Sequence, residues 1–135
     1  MKMTRNAIYT YVADAVNTEE RPVYCSSRYE PVPEYFPALY LAETSRRDVQ
    51  RYVTLKFDED VHEVTWEAQV FSNSANDAVN ETHTIMDDVY AAFREMNFMQ
   101  TFCAEIPDTD PSIYRMVARF ERIIGGANTI PEKGD

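Results

Sequence analysis

Four side chains are the best candidates for nucleophilic or metal chemistry: Cys25, Cys103, His62 and His83. A Cys–His nucleophile needs the two groups within hydrogen-bond reach, and a structural zinc site draws its ligands from short paired spacings. No short paired spacing is present here, and a Cys–His pair could arise only by tertiary proximity. In a reducing compartment both cysteines read as small buried hydrophobes. His62 falls in a charged turn and His83 within a helical pattern, so each is expected to be a surface or satisfied interior residue. The three glycines are Gly125, Gly126 and Gly134, which leaves no phosphate-cradling loop, no dinucleotide fingerprint and no Gly-x-Ser-x-Gly elbow. The sequence therefore assigns no catalytic residue, no cofactor-binding residue, no metal ligand and no cofactor. The expectation is a protein that is not an enzyme.

The carboxylates do not alter that reading. Asp58-Glu59-Asp60 and Asp87-Asp88 are neighbours on hydrophilic segments, where water keeps all of them ionised and no acid/base division of labour arises. They read as solubility and recognition charges. Against them stand Arg46, Arg47 and Arg51, three arginines within six positions of a chain whose formal charge is −10. Arg115 and Arg119 share a strand face, with Arg122 close by; they could meet acidic groups on another copy or pair with Glu63 or Glu67 on a neighbouring strand. The candidate subunit interface is accordingly Arg46, Arg47, Arg51, Asp58, Glu59, Asp60, Arg115 and Arg119, with Asp87 and Asp88 as further acidic partners.

The 135 residues are 44% hydrophobic and 13% aromatic, enough apolar material for one packed domain without disulfide or metal support. The acidic balance, 23 Asp plus Glu against 13 Lys plus Arg, repels phosphate backbones and anionic lipid. No run reaches the roughly 20 apolar residues that span a bilayer. The start, Met1 to Asn6, leads into a mixed helix and not a leader, so the chain is expected to stay in the cytoplasm where it is made.

Positioning falls to elements that periodicity defines. Ile8, Tyr11, Val12 and Ala15 recur at helical intervals over residues 4–16, with Thr4 as an N-cap. Val23 to Ser27 is a short β-type run. Pro31, Pro33 and Pro37 then impose an extended connection, because proline lacks the amide donor of a central strand. Ala38 to Ala42 reads as a buried mid-sheet strand. From Val61, the residues Val64, Trp66, Ala68 and Val70 alternate with Glu63, Thr65, Glu67 and Gln69. Between these strands Val53, Leu55 and Phe57 lie at period two, suggesting that both extend into a long charged hairpin; a mobile solvent loop is the alternative.

Residues 75–96 carry Ala75, Val79, Thr82, Met86, Val89, Phe93 and Met96 on one stripe, the longest helix. Ser72-Asn73-Ser74 supplies capping residues, and Asn97 can take the left-handed conformation. Phe98 to Ile106 and Ser112 to Ile124 are two final strands paired across a Pro107–Pro111 turn. The second alternates Tyr114, Met116, Ala118 and Phe120 against Arg115, Val117, Arg119 and Glu121. Ala127 to Asp135 reads as a flexible C-terminal tail beyond a single domain of residues 1–126. The order α-β-β-β-α-β-β predicts an α+β fold, a mostly antiparallel mixed sheet covered on one face by two helices, the other face carrying Thr, Glu, Gln and Arg.

Four segments carry a resemblance: Thr4-Arg5-Asn6-Ala7-Ile8-Tyr9; Phe36-Pro37-Ala38-Leu39-Tyr40; Trp66-Glu67-Ala68-Gln69-Val70-Phe71-Ser72-Asn73; and Asp110 through Phe120. In order and over residues 4–124, the chain resembles the small tail-completion, or tail-terminator, proteins of phages and prophages of Gram-positive bacteria. The likeness is one of patterns, with no catalytic signature to carry over. It implies a virion structural subunit that forms a homo-oligomeric ring, commonly a hexamer, at the head-proximal end of the tail. Its partners would be the major tail tube protein and the head-tail connector or stopper protein. No membrane partner is expected, and DNA would pass through the ring without specific contact. It would reside in the virion tail, and in the host cytoplasm during assembly. Two alternatives stay open: a head-completion or stopper protein of the same neck, and a small cytoplasmic enzyme or ligand-binding module whose site forms only in three dimensions.

Overall fold

A computed structural model of the chain describes residues 1–49 and 61–131. Helix α1 (Arg5–Val16) begins where the Thr4 side chain accepts a hydrogen bond from the Ala7 amide at 3.1 Å, meeting a donor that the first helical turn cannot. Ile8, Tyr11, Val12 and Val16 form its buried face. It stops at Asn17, whose amide reaches Ala13 O and whose side chain accepts the Val23 amide at 2.9 Å. That second bond turns the chain into β1 (Tyr24–Ser26). The proline segment follows, with a cis Phe36-Pro37 peptide.

Strands β2 (Ala38–Asp48) and β3 (His62–Ser72) pair antiparallel from Ala38↔Phe71 to Asp48↔His62, with a bulge between Glu43 and Ser45. The Val49 amide then donates to Val61 O at 3.1 Å, so the strand pair does carry past the core into the charged run. Val53, Leu55 and Phe57, and with them the tip of the expected hairpin, lie outside the described residues. Helix α2 (Ala78–Glu95) crosses to β4 (Met99–Glu105), and β5 (Tyr114–Ile124) returns to the middle of the sheet. Among the described residues the strand order is β1-β2-β3-β5-β4, with β1–β2 parallel and the other pairs antiparallel. This is the expected α+β fold.

The helix layer closes over one sheet face. Val64, Trp66, Ala68 and Val70 of β3 are buried there beside Leu39 and Leu41 of β2 and Met116, Ala118 and Phe120 of β5. Ala68 and Ala118 face each other across the two central strands, leaving volume for the helix layer. Phe93 of α2 fills it, stacked on Phe120 at 4.3 Å between ring centres and tilted against Trp66 at 6.1 Å. Such aromatic pairs add to the burial energy itself.

Both ends of α2 differ in kind. The expected caps at Ser72 to Ser74 do not cap it directly: Asp77 holds the N-cap position without a side-chain cap bond. Ser72 instead donates to Glu81 at 2.6 Å, and Ser74 accepts the Asp77 amide at 3.2 Å. The helix thus starts later than its apolar stripe suggests, leaving Ala75 and Val79 exposed while Ile85 and Ala92 enter the core. The C-terminal end is as expected. Asn97 adopts φ 63°, its amide meets Arg94 O, and the Phe98 amide meets Phe93 O at 2.9 Å. This is a Schellman closure with its apolar clasp, Phe98 against Phe93 at 5.1 Å. Arg122 also donates to Met96 O at 2.5 Å, and Arg94 to Phe98 O at 2.9 Å, placing cations at the negative end of the helix dipole.

Two other expectations are corrected. The second sheet face is polar for only part of its length, because the proline segment folds over the rest. Ala38, Phe71 and Ile113 form a small second core there, with Tyr24, Phe36 and Tyr40 against it. Val117, expected on the polar side, is buried on that face as well. Nor do residues 127–131 trail freely. Thr129 bridges Lys2, the Ile130 amide donates to Met1 O at 2.8 Å, and Ile130 packs on the core.

Candidate functional site

Cys25 is half-buried on β1, and burial pushes its thiol up to about 11, with Asp14 adding to the shift. It is inert at neutral pH. Cys103, expected inside, is exposed on β4. Edge strands have only one neighbour, so a residue there that points past the end of the helix layer meets water. Its thiol too is raised, by burial and then by Asp87, the opposite of an activated nucleophile.

His62 opens β3 with Nδ1 3.2 Å from Asp48 Oδ1, and His83 on α2 lies 3.5 Å from Glu105 Oε1. Tyr114 and, more weakly, His83 hold the Glu105 carboxyl below its usual range. His83 and Cys103 line one shallow groove between α2 and β4, yet neither His83 nor His62 hydrogen-bonds a cysteine. Among the described residues no three His, Cys, Asp or Glu side chains are grouped to hold a metal ion.

The arginines expected at a subunit interface have partners within the chain. Arg46 grips Glu43 through two bonds, 3.1 and 2.8 Å, and also reaches Met3 O. Arg47 pairs with Glu63 at 2.8 Å and Arg119 with Glu67 at 3.1 Å, Arg119 also lying over the Phe102 ring. Arg115 donates to the Tyr29 hydroxyl and to Ile106 O and Pro107 O. Of the two partnerships open for the β5 arginines, Arg119 takes the intramolecular one. Asp88 pairs with Arg21. Arg51, Asp58, Glu59 and Asp60 lie outside the described residues. These exposed pairs are worth about 0 to 1 kcal/mol each.

What the sequence did not reveal is a row of backbone. Among the described residues β4 pairs only with β5, and no strand lies on its other side. The Ile106 amide bonds Arg115 O, so by the antiparallel alternation Cys103 and Glu105 direct their amides and carbonyls outward. The side chains along this edge, Met99, Gln100, Thr101, Phe102, Cys103 and Ala104, carry no charge. Met99 is 63% exposed. Lysine, proline or a bulge usually guards such an edge; here the bulge between Gln100 and Phe102 leaves the outer half of the strand open. Strand order is a non-local property, and nothing within the sequence of β4 announces that it lies at an edge.

In comparisons with known proteins, no family profile matches this chain and no curated protein matches it.

Proposed function

We propose that the chain is a virion structural protein, a tail-terminator subunit that closes into a ring, in the expected case a hexamer, on the head-proximal end of a phage tail tube. The likeness of residues 4–124 to that family supports the role. One structural observation supports self-assembly: the side of β4 that no strand pairs among the described residues, uncharged from Met99 to Ala104. Subunits of charge −10 repel each other at a distance, and a row of directed backbone bonds is a contact that charge does not weaken. Because Arg46, Arg47, Arg115 and Arg119 already have internal partners, their part in this account is to offset acidic charge within each subunit.

The test places a lysine at two exposed positions of the edge, Met99→Lys with Cys103→Lys, the device by which natural edges avoid pairing. Light scattering over a concentration series, with and without tail tubes, reads the assembly state. The parent is expected to form rings, with the tube as template if not alone, and the folded double variant to stay monomeric. A parent that remains a monomer under every condition contradicts the ring.

A further inference from the structure

β1 pairs with only the first three residues of β2, Ala38 to Tyr40. Beyond Ser26, β2 keeps β3 on one side but has no strand on the other among the described residues, and a cleft of about 430 Å³ opens between it and α1. That volume is in the range of small-molecule sites, roughly 300 to 1,000 Å³. Its floor is Trp66, 1% exposed, whose indole N–H has no hydrogen-bond partner. A buried donor left unmet is unfavourable, and native structures leave few of them. Tyr9 and Leu41 add apolar wall.

The polar groups around this cleft are unequal. Arg5, the first residue of α1, is exposed and makes no ion pair or hydrogen bond among the described residues. Glu43, the acidic residue of the lining, is already gripped by Arg46 through both oxygens. Asn6 and Ser27, each with a donor and an acceptor, also line the cleft, so the Arg5 guanidinium is its unpaired charge among the described residues, while the Trp66 indole N–H lies buried beneath the apolar surface. Arginine's planar fork suits a carboxylate. The nearby Glu43 carboxylate sets a limit, because a second negative charge on the ligand would lie against it.

We propose that this cleft binds a small monocarboxylate carried on a flat apolar body, the carboxylate on Arg5 and the body against Tyr9, Leu41 and Trp66. The inference is independent of the ring reading. Trp66 is the only tryptophan of the chain, so intrinsic fluorescence reports on the cleft directly.

The experiment titrates the full chain with benzoate, with its neutral isostere benzamide and with the dianion phthalate, at fixed ionic strength. Benzoate is expected to change the Trp66 emission saturably, and benzamide and phthalate to bind about tenfold more weakly or less, the weight of one charge-assisted bond. Arg5→Gln, a substitution at an exposed position, should weaken benzoate about tenfold and leave benzamide unchanged. No saturable response to benzoate overturns the site. Equal affinity for benzoate and benzamide, or indifference of benzoate to Arg5→Gln, overturns the assignment of an anion to Arg5, and phthalate binding as tightly as benzoate overturns the monoanion limit set by Glu43.

Discussion

Thr82 sits fully buried on α2 with a hydroxyl that has no partner. Its place on the helix stripe was legible in the sequence; its unmet hydroxyl was not, since that depends on what the sheet presents opposite. Thr82→Val keeps the shape and removes the polar atom, so it is expected to stabilise the fold by about 1 kcal/mol, read by chemical denaturation. A loss of stability would mean that the hydroxyl has a bonding role. The tyrosines offer a second residue-level check. Burial, then the Glu95 carboxylate that accepts its hydroxyl at 2.7 Å, pushes Tyr11 up to about 12, and burial with Glu105 does the same for Tyr114. A folded-state value above the unfolded one contributes stability that is complete below pH of about 10 and is lost as pH rises through about 12. Ultraviolet titration of the nine tyrosines should show late ionisation that coincides with alkaline unfolding, and Tyr11→Phe should remove part of the late phase. A single transition near the ordinary tyrosine value would contradict the Tyr11–Glu95 tie.

At the scale of elements, the docking of residues 127–131 replaces the expected free tail. Truncation after Gly126 removes the Lys2–Thr129 bridge, the Ile130 amide bond to Met1 O and the packing of Ile130. It is expected to cost about 1 to 3 kcal/mol and to lower Tm in differential scanning calorimetry. An unchanged Tm would return the segment to the status of a tail. The contrast between this segment and the rest shows where sequence reading reaches. Val64, Trp66, Ala68 and Val70 declared their face because strand periodicity is a local property, and Thr4 and Asn97 declared helix ends because caps are local too. Ile130 stands alone among polar residues, and a single apolar side chain has no period. Cys103 was misplaced for a related reason: a β-type run states that a strand forms, not that it lies at an edge. The cleft by Trp66 exists because β1 is three residues long against eleven in β2, a mismatch visible only once the pairing is known.

For the whole molecule, a strongly acidic chain presents, among the described residues, a β4 edge uncharged from Met99 to Ala104, arginine–acid pairs on β2, β3 and β5, and a helix layer closed over a continuous core. The proposed role is assembly, supported by the strand-free side of β4 among the described residues, and the ring on a tail tube is its central claim. The most direct measurement is electron microscopy of tail tubes growing from purified major tail protein with the chain added at increasing ratio. The account predicts a ring of this protein on one end of each tube and shorter tubes as the ratio rises, with Met99→Lys plus Cys103→Lys abolishing both effects. Tubes that lengthen unchanged at every ratio, with no density added at either end, would contradict it.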